Sequence, residues 1–363
     1  MDMTEQKNDF GVGSVEQNII RMAVPMTVAQ ILNLLYNLVD RMYIGHIPGA
    51  SSLALTGVGI TFPIISMITA FANLFGMGGA PLCSMARGRR DYDAAKRYMQ
   101  NAFWMLLAAG VVLTVTGYVI EKPLLYALGA SSVTYPYASS YLRIYLLGNM
   151  FVMVGIGMNP FINAQGFGTM GMVTVGLGAL VNIILDPLFI FVFHMGVEGA
   201  AIATIIAQFL SALWVLFFLT GEKPDLRLKI CWRKPEFTVV KEIVSLGLSN
   251  FFMLFTNSLV QVVCNRQLQL YGGDLYVGVM TVLISVRDVA TMVVNGITSG
   301  AQPVISFNYG AQKKDRVKQG IRFMVTICII YTCLMWIMTL TFPEAFIRLF
   351  NSDAELVAAA VPS

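Results

Sequence analysis

Apolar runs of about 20 residues or more recur along this chain of 363 residues, and each is long enough to cross a hydrocarbon core of about 30 Å as a helix. The composition agrees, because 56% of the residues are hydrophobic and only 12% are charged, against roughly 25% charged in soluble domains. Backbone groups inside lipid must hydrogen bond to one another. The runs therefore predict an all-α membrane protein folded as a polytopic helical bundle.

Nine membrane helices are predicted, with short connections between most of them. They cover residues 17–46, 51–86, 94–120, 135–165, 169–193, 198–220, 238–270, 275–308 and 314–341. The longer connection at 221–237 carries charges and two prolines, and we interpret it as a cytoplasmic linker between two halves. Residues 1–16 lack the apolar core of a signal peptide and are predicted to form a short, solvated cytoplasmic tail.

Basic residues set the expected orientation. Most Lys and Arg residues lie in the N-terminal tail, the 86–97 loop, the linker and the 310–322 loop, which share one side if the helices alternate in direction. The positive-inside rule makes that side the cytoplasm. We predict a monomeric, multi-pass plasma-membrane protein with a cytoplasmic N-terminus. Its net charge of +4 reflects topology and contact with membrane lipids, and gives no reason to expect nucleic-acid binding.

An internal repeat relates two of the basic loops. GAPLCSMARGRRDYDAAK (79–96) aligns with AQPVISFNYGAQKKDRVK (301–318) at an offset of 222 residues. The identical pairs are Gly78 with Gly300, Pro81 with Pro303, Ser84 with Ser306, Gly88 with Gly310, Asp93 with Asp315, and Lys96 with Lys318. Both loops are expected on the cytoplasmic side, so the unit is six helices in one orientation. Such parallel repeats are typical of transporters that hold substrate between the halves.

The repeat divides the chain into two parts. Residues 17–220 are predicted to form a complete six-helix half, the cation-coupling lobe. Residues 238–363 provide three helices and the start of a fourth, so we expect the second repeat to be incomplete.

Polar residues interrupt the apolar run at NIILDP, residues 182–187. A charge at the bilayer centre costs about 2.5 to 3.5 kcal/mol on insertion scales, so Asp186 requires an explanation. Asn182 lies four residues before it, on the same helix face. Pro187 lacks an N–H, which frees the carbonyl of Ile183 nearby. The motif therefore predicts a cluster of oxygen ligands.

Helix one carries a second polar stripe, which must face protein or water. Its members are Gln30, Asn33, Asn37 and Asp40, with Tyr36 one turn before Asp40. Two carboxylates brought together in a low dielectric cannot both ionise cheaply, so Asp40 and Asp186 predict uptake of a proton or a cation. A hard ion such as Na⁺ requires several oxygen ligands. Asn182 and a hydroxyl, with Thr204 as candidate, would complete the set.

The chain resembles the multidrug and toxic compound extrusion (MATE) family of cation-coupled efflux transporters over nearly its whole length. The similar segments are PMTVAQILNLLYNLVDRMYIG (25–45), PLCSMARGRRDYDAA (81–95), NxxxDP (182–187) and GAAIAT (199–204), in this order. The resemblance implies twelve helices in two six-helix halves. It also implies export of amphipathic organic cations, including dyes and antibiotics.

By this resemblance the first-half cation site maps onto specific positions, namely Asp40, Asn182, Asp186 and Thr204, with Tyr36 nearby. Na⁺ or H⁺ would be the coupling ion, with no other cofactor. Pro25 is the predicted hinge of helix one. Asn159 stands where some relatives carry a substrate-related Glu, and the expected cleft residues also include Asn33, Asn37, Asn257 and Gln261. No GxxxxGK[ST] motif is present in the sequence, so an ion gradient is the expected source of energy.

Several alternatives stay open at this stage. Asp186 could only bond neighbouring polar groups beside Pro187, Thr204 could serve close helix packing, and Asp40 could pair with Arg41 or Arg143. Arg287 and Asp288 are neighbours that should point apart, which favours partners on other helices.

Two other functions are alternatives to export. A lipid-linked precursor flippase would require a strongly basic cleft. A membrane-embedded enzyme would use Asp40 and Asp186 as an acid/base dyad, although catalysis needs no repeat of six helices.

Overall fold

The computed structural model describes residues 9–47, 51–229 and 235–348, which form helices and connections without a strand. The helices are α1 (Val15–Ile44), α2 (Ser51–Gly88), α3 (Tyr92–Ala127), α4 (Tyr135–Leu147), α5 (Asn149–Ala164), α6 (Gly168–Pro187) with a π-helical turn (Leu188–Val192), α7 (Gly196–Thr220), α8 (Phe237–Gly310), α9 (Lys314–Thr341) and α10 (Pro343–Arg348). Eight segments of these described residues are long and apolar enough to span a membrane, and the bent pair α4–α5 makes a ninth. The predicted helical bundle is confirmed.

The helix predicted over 135–165 is instead two helices, α4 and α5, bent by 59° at Gly148. A Cβ on Gly148 would lie 2.5 Å from the Ile205 side chain, so the absence of a side chain lets α7 approach the bend. Asn149 then donates hydrogen bonds to Gly110 O and Thr114 Oγ1, both at 3.0 Å, which fixes the start of α5.

Helix α3 continues to Ala127, seven residues beyond the predicted end at 120. The charged sequence Glu121–Lys122 follows directly after the predicted end. Glu121 is buried because it accepts hydrogen bonds from Ser139 and from Arg143 Nε, the latter at 2.8 Å. A paired carboxylate can stay inside the bundle.

Helix α8 covers both of the predicted spans 238–270 and 275–308, and its helical backbone also passes through 271–274. A straight helix of this length would extend about 110 Å at 1.5 Å per residue. However, Gly247 packs against the backbone of Leu74, and Gly310 packs against Met85. These two α2 residues lie only about 16 Å apart along their helix. The chain of α8 therefore turns back between its spans Phe237–Asn257 and Val282–Gly310.

Helix contacts between the two halves follow the sequence repeat. A Cβ on Gly88 would lie 2.0 Å from Phe307 O, and a Cβ on Gly310 would lie 2.0 Å from Met85 O. Met85 and Gly88 are the residues that align with Phe307 and Gly310 at the offset of 222. Each half thus presents the same positions to the other, as expected for parallel repeats related by a two-fold axis.

The same symmetry holds nearer the middle of the bundle. Gly78 packs against Gly247, and Gly300 packs against Ala23. Gly78 and Gly300 are aligned in the repeat. Backbones that approach this closely require small residues at the crossing.

Residues 9–16 correct the prediction of a solvated tail. Phe10 is fully buried, and its ring packs edge-on against Phe307 with centroids 5.9 Å apart. Gly13 has a φ of +71°, which lets the segment turn into α1. Residues 1–8 and 230–234 of the predicted tail and linker lie outside the described residues.

The contact of Gly88 with Phe307 can be tested by adding one methyl group. We expect Gly88→Ala to destabilise the protein by about 1 to 3 kcal/mol, because backbone atoms of α8 cannot yield space. Gly59→Ala on the same helix is the matched control, since nothing lies within 4 Å of its Cβ position. Thermal unfolding in detergent measures both. A Gly88→Ala variant as stable as the control would contradict the close approach.

Candidate functional site

Four predicted site residues on three helices are buried together. Asp186 is 0% exposed, Asn182 1%, Thr204 3% and Asp40 7%. Helix α6 provides the NxxxDP residues, α7 provides Thr204 and α1 provides Asp40. Because membrane helices rarely bury polar groups without partners, this convergence favours a functional site over incidental polarity.

Asn182 ties two of these helices together. Its Nδ2 donates to Asp186 Oδ1 at 3.2 Å and to Thr204 Oγ1 at 3.3 Å. The first bond uses the predicted spacing of four residues, and the second joins α6 to α7. The amide therefore holds a carboxylate and a hydroxyl in one place.

Helix α6 widens immediately after Pro187 into the π-helical turn Leu188–Val192. Proline cannot donate the backbone hydrogen bond that an α-helix requires, and π-turns in helices often occur at functional sites. Gly199 of α7 packs against the backbone of Phe189 in this turn, with 2.8 Å between its Cβ position and Phe189 C. The irregular helix geometry of residues 187–192 thus begins directly after Asp186.

The carboxyl groups of Asp40 and Asp186 lie close enough to interact with each other. Two carboxylates repel, so a bond between them requires a proton on one of the two. Asn182 Oδ1 and Asp186 Oδ2 are buried oxygens that accept no hydrogen bond from the described residues. Several oxygen atoms with spare lone pairs, next to a carboxylate pair, can accept either a proton or a small hard cation.

Tyr36, which was predicted near the site, and Tyr141, which was not, complete the wall beside this pair. The hydroxyl groups of Tyr36 and Tyr141 both interact with Thr204. Tyr141 stacks on Tyr145 with centroids 6.3 Å apart and an interplanar angle of 15°. The spacing of Tyr137, Tyr141 and Tyr145, four residues apart each time, places them on one helix face and was the available signal.

A cavity of about 880 Å³ lies between the halves and has Asp40 in its wall. The predicted cleft residues Asn33, Asn37 and Asn257 also line it, together with Arg287. Asp186 and Asn182 are not in the wall. They lie behind Asp40 and Thr204, so the carboxylate pair adjoins the cavity without being open to it.

A second cavity, of about 670 Å³, extends from Asn33 and Tyr36 toward the contacts between α2 and α8. Asn159 lines it, as predicted for the cleft, and its Nδ2 donates to Gly171 O at 3.3 Å. The side chain of Gln261 lies outside the described part of the chain. The described walls of this second cavity contain amides and hydroxyls and no charged side chain.

Two expectations about charged residues are corrected. Arg143 forms its ion pair with Glu121 at 2.8 Å, which removes it as the proposed partner of Asp40. Arg287 and Asp288 do not point apart, because Arg287 Nη2 lies 3.1 Å from Asp288 Oδ1 and both side chains are more than half exposed. Long side chains on adjacent positions can reach each other where no helix packs over them.

Comparison with known proteins gives concordant results. A family model described as MatE matches residues 25–188 and 250–362. The multidrug export protein MepA of Staphylococcus haemolyticus is 27% identical over 359 residues, covering 98% of this chain and 78% of that protein. MepA of Staphylococcus aureus is 26% identical with the same coverage.

Solved structures of the family share the fold. An outward-facing MATE family transporter superposes with a TM-score of 0.89 at 23% identity, covering 96% of this chain and 78% of that one. A MATE transporter in a straight conformation gives 0.90 at 22% identity, covering 100% and 79%. The family model spans most of the sequence, and with the helical repeat it leads to one conclusion: the chain belongs to the MATE family of transporters.

Proposed function

We propose that this chain is a cation-coupled exporter of amphipathic organic cations. The observation that carries the proposal is the buried pair Asp40 and Asp186, which adjoins a cavity lined by both halves. The similar MepA proteins are named as multidrug export proteins, which supports small-molecule substrates. A cavity of this size is also within the range that holds drug-sized ligands.

Coupling follows from competition between two states of the carboxylate pair. When a proton or Na⁺ occupies the pair, the repulsion between Asp40 and Asp186 is removed and α1 can approach α6. When the pair loses the cation, α1 must move away or rotate. Because α1 also contributes Asn33 and Asn37 to the cavity wall, the cation state changes the substrate site. Linkage then makes cation entry and substrate release reciprocal.

Pro25 is the proposed hinge for this motion. It lies inside α1 between the cytoplasmic end and the polar stripe, and it removes one backbone hydrogen bond from the helix. Related MATE structures exist in bent and straight conformations, which supports a flexible element in the family.

The orientation of the cavity supports an outward-facing state. Residues beside the basic loops, including Gly88 and Phe307, are packed together and close that side. The larger cavity lies toward the opposite ends of α1 and α2. We place the basic loops and the N-terminus in the cytoplasm, and we take the protein to be a plasma-membrane monomer surrounded by lipid. In this orientation the cavity would face the outside of the cell. Alternating access would then close the cavity on that side.

The flippase reading requires a basic cleft, yet Arg287 is the one basic side chain among the described residues of the two cavities. The relatives and structures described above are named as export proteins and transporters, which supports export over the enzyme reading.

The role of the carboxylate pair can be tested with Asp186→Asn. We expect ethidium efflux under an imposed H⁺ or Na⁺ gradient to fall at least about tenfold. The reason is that the asparagine side chain of the variant cannot take up or release a proton and has no charge to repel the Asp40 carboxylate. Asp93→Asn, which alters an exposed carboxylate, should leave efflux unchanged. The gradient that drives wild-type efflux also identifies the coupling ion. Undiminished efflux by Asp186→Asn would rule out this mechanism.

Thr204→Val separates the two candidate ions. If Na⁺ couples, loss of the Thr204 oxygen should weaken Na⁺ binding about 10-fold or more, in keeping with about 1 to 3 kcal/mol for a buried polar group left without its partner. If only H⁺ couples, efflux should change little. Thr220→Val is the control on the same helix, because its hydroxyl is exposed and donates to Leu216 O one turn away. The Na⁺ dependence of ethidium binding measures the effect.

A further inference from the structure

Helix α1 belongs to two separate hydrophobic cores. Near its cytoplasmic end, Val15, Ile19 and Met22 pack with Ala301 and Val304 in a cluster whose other members come from α8, α9 and Phe10. Near the opposite end, Ile44 and Ile47 belong to the main core, which is built mostly from α2 to α7. Pro25 lies between these two regions. The lower part of α1 thus shares a hydrophobic core with the second half, although Met22 also contacts Gly168 of α6, and the upper end of α1 belongs to the core of the first half.

The segment before α1, residues 9–14, binds the second half as well, and we name it the N-terminal strap. Arg316 of α9 donates to Phe10 O at 2.9 Å and to Gly13 O at 2.8 Å. Lys313 Nζ donates to Gly11 O at 2.8 Å. Bonds from charged donors are among the stronger hydrogen bonds in proteins. The strap therefore fixes the lower end of α1 against α9.

Asn308 of α8 bonds to both partners of this attachment, the strap and Arg316. Its Nδ2 donates to Phe10 O at 3.1 Å, and its Oδ1 accepts from Arg316 Nε at 2.9 Å. Asn308 is fully buried, and so is the Phe10 side chain. Asn308, which belongs to the same half as Arg316, thus holds the Arg316 side chain in the orientation in which it donates to the strap.

The start of α8 also contacts the other half, through side chains of α3. Glu236 and Glu242 flank the start of α8. Arg97 Nη1 lies 4.0 Å from Glu236 Oε2, and the Tyr98 hydroxyl donates to Glu242. Cys264 occupies the position in this second-half helix that aligns with Asp40 at an offset of 224 residues, two more than that of the basic loops. The α8 start is thus contacted through side chains, not through its backbone, and its helix leads to no carboxylate pair.

We propose that the N-terminal strap anchors the lower part of α1 to the second half, so that cation binding at Asp40 acts on that half through α1. This inference rests on the proposed function. Arg316 and Phe10 are positioning residues: they touch neither cation nor substrate. With the lower end held, displacement of the upper end must be taken up at Pro25 and passed to α8 and α9. Without the anchor, α1 moves within the first half alone.

The test measures how strongly the coupling cation changes ethidium affinity in the purified full chain. For the wild type we expect the dissociation constant to rise about 5- to 150-fold on cation addition, the usual range for coupled sites. For Arg316→Ala we expect the ethidium affinity measured without cation to stay within about twofold of the wild-type value. Cation addition should then leave the dissociation constant of this variant almost unchanged. Arg316→Lys should restore part of it, because one ammonium can reach one of the carbonyl oxygens.

The double variant Arg97→Ala/Tyr98→Phe is the matched control, since it removes the contacts that Arg97 and Tyr98 make with Glu236 and Glu242 at the start of α8. It should keep the wild-type cation effect. A full cation effect in Arg316→Ala would overturn the anchor while leaving the proposed function intact. A wild type without a cation effect for either H⁺ or Na⁺ would overturn both.

Hydrogen exchange of the wild-type protein tests the anchor without any substituted variant. We expect the amides of residues 10–14 to be equally protected with and without the coupling cation, while exchange near Pro25 changes. Exchange of the strap that rises when the cation binds would mean that the strap releases, and the anchor would be refuted.

Discussion

The structure depends on one costly arrangement, two carboxyl groups buried side by side in an apolar bundle. Asp40 and Asp186 come from different helices, so neither sequence segment can satisfy its own charge. Under the proposed function, the position of α1 relative to α6 depends on what occupies the pair. Asn182 bonds to both Asp186 and Thr204, which ties Asp186 to α7 and leaves α1 as the proposed mobile partner.

Close backbone contacts complement this electrostatic site. Gly88 and Gly310 allow α2 and α8 to touch on the side of the basic loops, and the contact is repeated by symmetry. Such contacts depend on shape and are lost abruptly when the helices separate. A bundle closed by them on one side and containing a cavity toward the other is suited to two alternative states, with little stability in between.

Helix α1 connects the two features. It carries Asp40 into the first half and shares a core with the second half below Pro25. The N-terminal strap extends this second attachment beyond the helix through Arg316. For the proposed function, a single helix attached to both halves offers a direct physical route from the carboxylate pair to the cavity, and no chain of intermediate side chains is required.

The sequence alone determined the helical class, the positions of most spans, the repeat and the polar residues of the site. These follow from local properties: apolar length, the spacing of Asn182 and Asp186, and identities at one offset. Tertiary structure decided the bend at Gly148, the pairing of Arg143 with Glu121, the place of Tyr141 beside Thr204 and the burial of Phe10. Each of these depends on a partner distant in sequence. A single-sequence pattern carries no record of which helices meet, since that choice is made by shape and charge when the bundle packs.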